Sequence, residues 1–290
     1  MILAALIDEY ILYLKNHQKA SKQTVKNYQH YLSRFLNFSG PIKAQDINLS
    51  LIKKYKLYLE NFVEPIHDKP LKTVTQNYFL IALRAFLDYL NQKGLVAIDS
   101  KSVILKIQQT QKVKVLDQQS LEKLLHSPDT SKTSGIRDKT ILEVLISTGL
   151  RVSELASLNR TSINFLEKKI EVLGKNQKKR TVFLSDSAVV WLTRYLQTRK
   201  DSFKPLFIRY QGKANLKEDG AKMRLTPRSL ERVVEKYVKQ LNLSIKATPH
   251  TLRHTLAKNL LSRGNNAFFV KQTLGYSHIS STQMYKHPET

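Results

Sequence analysis

A histidine, an arginine and two tyrosines crowd the last stretch of the chain, Thr248 to Thr290, which reads TPHTLRHTLAKNLLSRGNNAFFVKQTLGYSHISSTQMYKHPET. His250 and Arg253 are three residues apart, so a helix would carry both on one face. Tyr285 follows later. A guanidinium binds an oxyanion, an imidazole moves a proton and a phenol can attack, which together are the parts of a site for phosphodiester chemistry. Upstream, Arg151 and Glu154 are also three apart, and the run GKNQKK supplies Lys175, Lys178 and Lys179. Each has a plainer reading. Arg151 and Glu154 could form an ordinary helical ion pair, Lys175 could be one of several exposed lysines, and Tyr285 a buried aromatic. His250 and His254 are four apart, as in helical metal sites. No Glu lies between them, however, and Arg253 would repel a cation. His254 is therefore expected to be a packed or supporting residue, and no metal is assigned.

The elements that must position these residues can be read from caps and periodicity. Thr248 is a good N-cap and Pro249 suits the first helical position. Leu252, Leu256 and Leu260 repeat at helical spacing, with Gly264 as the stop. A second helix is predicted from about Ala267 to Leu274, ending at Gly275. Ser280 or Ser281 can cap a short third one that carries Tyr285. From Asp117, a short capped helix (DQQSLEKLL) precedes an apolar-faced helix over GIRDKTILEVLIST that ends at Gly149. RVSELASL is another. The period then changes: KIEVL (Lys169 to Leu173) and RTVFL (Arg180 to Leu184) read as strands of a hairpin with a basic tip. Helices follow from Ser185 and from Thr226-Pro227, with Leu206 to Ile208 as a short extended piece.

Residues 1–96 read as four helices, enough for a compact bundle. Their stripes are Ile2, Leu3, Leu6, Ile7, Tyr10, Ile11 and Leu14; then Val25, Tyr28, Leu32, Phe35 and Leu36 after a Ser21 cap. A third helix opened by Asn48 or Ser50 carries Ile52, Tyr55, Leu59 and Phe62. After Pro65 and Pro70, a long one from about Thr73 carries Tyr78, Ile81, Leu83, Phe86, Leu87 and Leu90 to Gly94. Lys53 and Lys54 beside Tyr55 and Tyr58 could lie along DNA phosphates, or form a solvated face over buried tyrosines. Residues 97–115 are polar and basic and are expected to be the linker, either a strap near a nucleic acid backbone or a plain connection. Residues 116–290 form the remaining domain.

Composition bounds the function. Lys plus Arg total 48 against 23 Asp plus Glu, a formal charge of +25 over 290 residues, which calls for a polyanionic partner. No apolar run approaches membrane-spanning length. The N-terminal stretch MILAALIDEY carries Asp8 and Glu9 and lacks a basic start, so it reads as an amphipathic helix and not a signal peptide. There is no cysteine, which excludes disulfides and thiolate metal sites and makes a reducing cytoplasm the simplest setting.

TGLRVSEL, GKNQKKR, HTLRH and LGYSHISSTQMY, in this order, resemble the tyrosine recombinases, or phage integrase family, and among them the Xer-type members. The resemblance covers the chain. It implies a mainly α protein: a helical N-terminal core-binding (SAM-like) domain and an α-rich catalytic domain with a small antiparallel sheet, the DNA breaking-rejoining fold. It implies strand cleavage and rejoining without metal, ATP or other cofactor. By resemblance Tyr285 is the nucleophile, and Arg151 and Arg253 hold the non-bridging oxygens. His250 serves as a proton-transfer or hydrogen-bonding group. Lys175 protonates the leaving 5′ oxygen, and Glu154 orients the site. Tyr276 stands where members usually have His or Trp; a phenol can donate a hydrogen bond but is no cation at neutral pH. Lys53, Lys54, Lys178 and Lys179 are the expected backbone-binding lysines.

The implied partners are double-stranded DNA and further protomers, as a homo-tetramer on DNA or a hetero-tetramer with a paired recombinase, with no membrane. Xer-type relatives usually continue past the nucleophile with a helix that docks into a neighbour. Here only Lys286 to Thr290 follow, and Pro288 discourages helix. Either this helix is lacking or the chain is shortened, and a monomer is expected off DNA. Two other functions fit part of the pattern: a type IB topoisomerase-like relaxation of supercoils, and a catalytically weak DNA-binding relative of the integrases.

Overall fold

The computed structural model describes residues 2–65, 68–96, 98–107, 113–173, 179–211, 219–276, 278–279, 282 and 285. The chain divides into two units, Met1–Gln111 and Lys112–Thr290. The first is built on α1 (Leu3–Asn16), α2 (Lys22–Ser39), α3 (Leu49–Asn61) and α4 (Thr73–Gln92). Side-chain oxygens open two of them. Ser21 accepts from the Thr24 amide at 3.1 Å, and Asn48, not Ser50, accepts from the Leu51 amide at 2.9 Å. Leu3, Leu6 and Tyr10 meet Leu32, Phe35, Ile52, Tyr55, Leu59, Leu83 and Phe86 in one core. Tyr78 and Ile81 do not join it, contrary to the predicted stripe. The buried positions of α4 are Phe79, Leu80, Leu83, Phe86, Leu87 and Leu90, and at about 100° per residue 78 and 81 fall on the opposite side. Tyr78 instead stacks on Tyr31, 6.4 Å between centroids. Val63–Glu64 (β1) and Lys69–Pro70 (β2) pair antiparallel between α3 and α4.

Part of the stretch expected to be a linker belongs to this unit. Val103 is fully buried in its core. Its carbonyl accepts from Arg84 Nε at 2.6 Å, while Asn77 and the backbone of Lys106 exchange two hydrogen bonds of 3.0 Å.

The second unit runs α5 (Gln118–His126), α6 (Thr133–Thr148), α7 (Val152–Ser157), β3 (Ile163–Asn164), β4 (Lys169–Leu173), β5 (Lys179–Phe183), α8 (Asp186–Gln197), α9 (Pro227–Gln240), α10 (Pro249–Ser262) and α11 (Ala267–Leu274). The strands form one antiparallel sheet, β3-β4-β5. Helix α6 was expected to be amphipathic, yet it is buried nearly all round and packs on α8 and α10. Its buried charges are paired: Lys139 with Glu143 at 2.8 Å, and Asp138 with Arg137 at 2.7 Å. β3 was not foreseen. Leu206 to Ile208, predicted as a short extended piece, makes only an isolated bridge, Ile208 with Arg224, next to another of Asn159 with Pro205. No described helix is long and apolar enough to cross a membrane.

Candidate active site

Helix α10 begins as its sequence demands. The Thr248 hydroxyl accepts from the Thr251 amide at 3.3 Å and Pro249 takes the first turn. That start places His250 in the first turn, exposed to solvent, and sends Arg253 inward, where it is 2% exposed. His254 follows, half-buried.

Two glycines shape the surroundings of Arg253. Gly149 ends α6 and Gly275 ends α11, each in the left-handed region, at φ +58° and +64°. A Cβ on Gly149 would come within 2.5 Å of Leu274, and one on Gly275 within 2.9 Å of Arg180. These turns free carbonyls for the arginines. Arg253 donates from Nη1 to Gly149 O and from Nη2 to Leu274 O. Arg151 donates from Nη2 to Gly275 O at 2.9 Å. Two consecutive carbonyls at the C-terminal, electronegative end of α11 thus hold one guanidinium each. Burial lowers the pKa of Arg253; nearby Tyr276 opposes this, and the charge of Arg151 adds to it. A guanidinium stays protonated under such a shift, so the pair leaves a concentrated positive field with N–H groups to spare.

Glu154 fixes Arg151. Its carboxylate accepts from the Arg151 amide at 2.8 Å, closing the first turn of α7, and from Arg151 Nη1 at 3.1 Å. A second cation arrives from the sheet: Arg180 Nη1 and Nη2 reach the two Glu154 oxygens at 2.7 and 2.9 Å. Burial alone would raise the Glu154 pKa. Arg180, with the amide and charge of Arg151, outweighs it and holds the carboxyl below its usual value. Arg180 is the functional neighbour that the sequence reading missed. Register supplies it, since Val172 pairs with Arg180 and Ile170 with Val182. Val172, Ile170 and Val182 all face the core, so Arg180 points the same way. Alternation in KRTVF was the available signal. Among the described residues the buried Arg180 Nε has no partner.

The tyrosines pack against Ala257, Val270 and Leu274 between α10 and α11. The Tyr276 ring lies under Arg253, 4.6 Å from Cζ to centroid, and its hydroxyl is 3.1 Å from that of Tyr285. The Tyr285 hydroxyl also meets His254 Nδ1. Burial, reinforced by the bond to Tyr276, pushes the Tyr285 phenol up. Burial and then the charges of His250 and Arg253 push the His254 imidazole down from 6.5.

Of the predicted site, Arg151, Glu154, Arg253, Tyr276 and Tyr285 are therefore drawn together, with His250 at the mouth of α10. Lys175 and Lys178 lie outside the described residues, as do Ser280 and Ser281, the expected caps of the last short helix. Lys179 is exposed at the start of β5, and Lys53 and Lys54 are exposed on α3. Among the described residues no group of three or more His, Asp or Glu could hold a metal ion.

Residues 114–290 match the phage integrase family and residues 7–94 match the phage integrase N-terminal SAM-like domain. The tyrosine recombinase XerC of Thermodesulfovibrio yellowstonii is 31% identical over 289 residues, covering 97% of this chain and 91% of that protein. The tyrosine recombinase XerD of Staphylococcus epidermidis is 27% identical, with 97% and 93% covered. In fold, the chain is similar to the Tn1549 transposon integrase in complex with circular intermediate DNA. There the TM-score is 0.78 at 18% identity, with 100% of this chain and 96% of that one covered. It is also similar to the XerH recombinase bound to palindromic difH substrate, with a TM-score of 0.71 at 19% identity and 93% and 78% covered. Paired guanidiniums beside a phenol, in a chain matched by the family along most of its length, identify it as a member of the phage integrase family of tyrosine recombinases, enzymes that cut and rejoin DNA.

Proposed function

We propose that this chain is a site-specific recombinase acting on double-stranded DNA through a 3′-phosphotyrosyl intermediate. The observation that carries the reading is the convergence of Arg253 and Arg151 on the adjacent carbonyls of Leu274 and Gly275, beside the Tyr276–Tyr285 pair. A phosphodiester placed there meets two cationic forks matched to its non-bridging oxygens. Their fixed charge favours the pentacoordinate transition state, which carries more negative charge than the diester. The Tyr285 oxygen attacks phosphorus, the 5′ oxygen leaves with a proton from Lys175, and the strand stays joined to the protein as an ester. His250 hydrogen-bonds the phosphate from the first turn of α10. Because the ester keeps the bond energy, a 5′ hydroxyl can reverse the step and seal a new partner strand without ATP. Tyr276 takes the place of a histidine or tryptophan donor, and its ring supports Arg253.

Strand exchange between two duplexes calls for four protomers on DNA, either copies of this chain or a pair with a second recombinase. Off DNA the net charge of +25 keeps protomers apart. Lys53, Lys54, Lys178 and Lys179 neutralise backbone phosphates. Such a reaction serves resolution of chromosome dimers or integration and excision of mobile elements, in the cytoplasm.

The test is covalent capture. The full chain is incubated with fragmented genomic DNA, denatured, and the attached ends are sequenced. The expected result is one recurrent sequence, in the presence or absence of EDTA, because the charge stabilisation comes from arginine and lysine. Tyr285→Phe should bind DNA as well as the parent and capture nothing, since only the phenol oxygen is removed. Adducts in Tyr285→Phe would move the nucleophile, with Tyr276 next in line. Ends scattered over all sequences would favour a relaxing enzyme of the topoisomerase kind.

A further inference from the structure

The ring of His254 touches the one atom that must lose a proton. Its Nδ1 is hydrogen-bonded to the Tyr285 hydroxyl, and the two rings are 5.6 Å apart between centroids. The Tyr285 oxygen has a second neighbour in the Tyr276 hydroxyl at 3.1 Å. Direction follows from the inventory of donors. Tyr276 lies against Arg253, and a guanidinium has no acceptor, so the Tyr276 proton is left for the Tyr285 oxygen. Tyr285, accepting there, has its own proton free to donate to Nδ1. The chain of hydrogen bonds runs from Tyr276 through Tyr285 to the imidazole.

We infer that His254 is the base that takes the Tyr285 proton as the phenol attacks, a catalytic role that rests on the recombinase reading above. The Tyr285 O–H bond breaks and its proton goes to Nδ1, giving an imidazolium. The freed electron pair forms the bond from oxygen to phosphorus. The bond from phosphorus to the 5′ oxygen breaks, keeping its pair on that oxygen, which is protonated by Lys175. Rejoining reverses each transfer, and Nδ1 returns its proton to the departing phenolate.

A base is needed because burial raises the phenol's pKa, so no phenolate waits in advance at neutral pH. The imidazole is suited to accept because burial, His250 and Arg253 keep it neutral. Among the described residues, the titratable groups that face it are His250 and Arg253 on α10 and Tyr285, with Tyr276 on the far side of the Tyr285 hydroxyl; Lys258 stands one turn further along α10. Transfer is concerted with attack, since the oxygen's hold on its proton collapses as the bond to phosphorus forms.

Two measurements test this. In the first, adduct formation is followed in single turnover on the duplex captured by the parent protein, with either oxygen or sulfur at the bridging 5′ position. Sulfur leaves without an acid. His254→Gln, which can accept a hydrogen bond but not a proton, should react about 10²–10⁴ times more slowly on both duplexes. It should also lose the acidic limb of the pH profile, which in the parent falls where His254 becomes protonated, below 6.5. Lys175→Ala should be rescued by sulfur. A His254→Gln protein that keeps the parent's rate and limb, or is rescued by sulfur, overturns the inference while leaving the recombinase reading intact. A parent that captures no DNA overturns both. The second measurement needs no DNA: nitrogen NMR of the full chain should show Nδ1 of His254 as an acceptor, and Tyr285→Phe should raise its titration midpoint. A His254 signal unmoved by Tyr285→Phe overturns the inference by itself.

Discussion

Glu154 stays charged in a place where a lone carboxylate would not. Its side chain is 7% exposed and lies between Arg151 and Arg180. Removing one partner of a buried pair strands the other, at a cost of about 3–5 kcal/mol. Arg180→Met leaves Glu154 with Arg151 alone, so it should lower unfolding free energy in urea titrations at neutral pH by less than that full amount, and adding Glu154→Gln should restore part of the loss. The pH dependence has a fixed sign. Because the folded carboxyl titrates below its ordinary 4.5, its contribution is fully present above pH 4.5 and is lost as pH falls through the folded value. Glu154→Gln should flatten that limb of the stability profile; an unchanged limb would show that other carboxylates carry it. Arg151, Arg253 and Tyr285 were legible because their spacing and neighbouring motifs are local features of the chain. Arg180 was not, because its partner is 26 residues away and only strand register brings the two together. His254 was legible as a supporting residue, but its contact with Tyr285 depends on how two separate segments fold back.

At the level of elements, caps were the most legible feature. Ser21, Asn48, Asp117, Ser185, Thr226 and Thr248 all accept from the amide three residues on, because this interaction needs only local backbone. Faces were less legible. In α4 a run rich in apolar residues permits several stripes, and packing on α1, α2 and α3 selects one. In α6 no stripe exists to be found, since the helix is enclosed on all sides. The stretch after α4 was the least legible, being polar and without period, yet Val103 and the Asn77–Lys106 pair tie it to the helical unit. A fragment of residues 1–107 should accordingly be more stable than one of residues 1–96. Exposing the site of Val103 costs about 1.5–3 kcal/mol, and Asn77, 6% exposed, would lose both partners, so a larger difference is expected. Thermal unfolding of the two fragments by circular dichroism gives the comparison. Equal midpoints would mean that the 98–107 segment merely rests on the bundle.

For the whole molecule, charge decides how a partner is met. An excess of 25 positive charges cannot be neutralised within the chain, because there are only 23 acids for 48 bases. Some of the surplus lies at the site, where Arg253 is buried and Arg151 stands beside it on the carbonyls that end α11. The rest lies on exposed positions such as Lys53, Lys54 and Lys179, on both units, and is open to the phosphates of a DNA backbone. Contacts of that kind release counterions from DNA, and the logarithm of affinity then falls linearly with the logarithm of salt concentration. If six to ten phosphates are neutralised, affinity should drop by about 10³–10⁵ between 50 and 200 mM salt. Lys53→Ala with Lys54→Ala should make the slope shallower by about two, with little change in which sequence is captured, because phosphate contacts position a protein without reading bases. Fluorescence anisotropy with a labelled duplex over a salt series measures both slopes. A flat response in the parent would place the DNA on another face of the protein. An unchanged slope in the double variant would remove α3 from the interface while leaving the chemistry of the second unit as described.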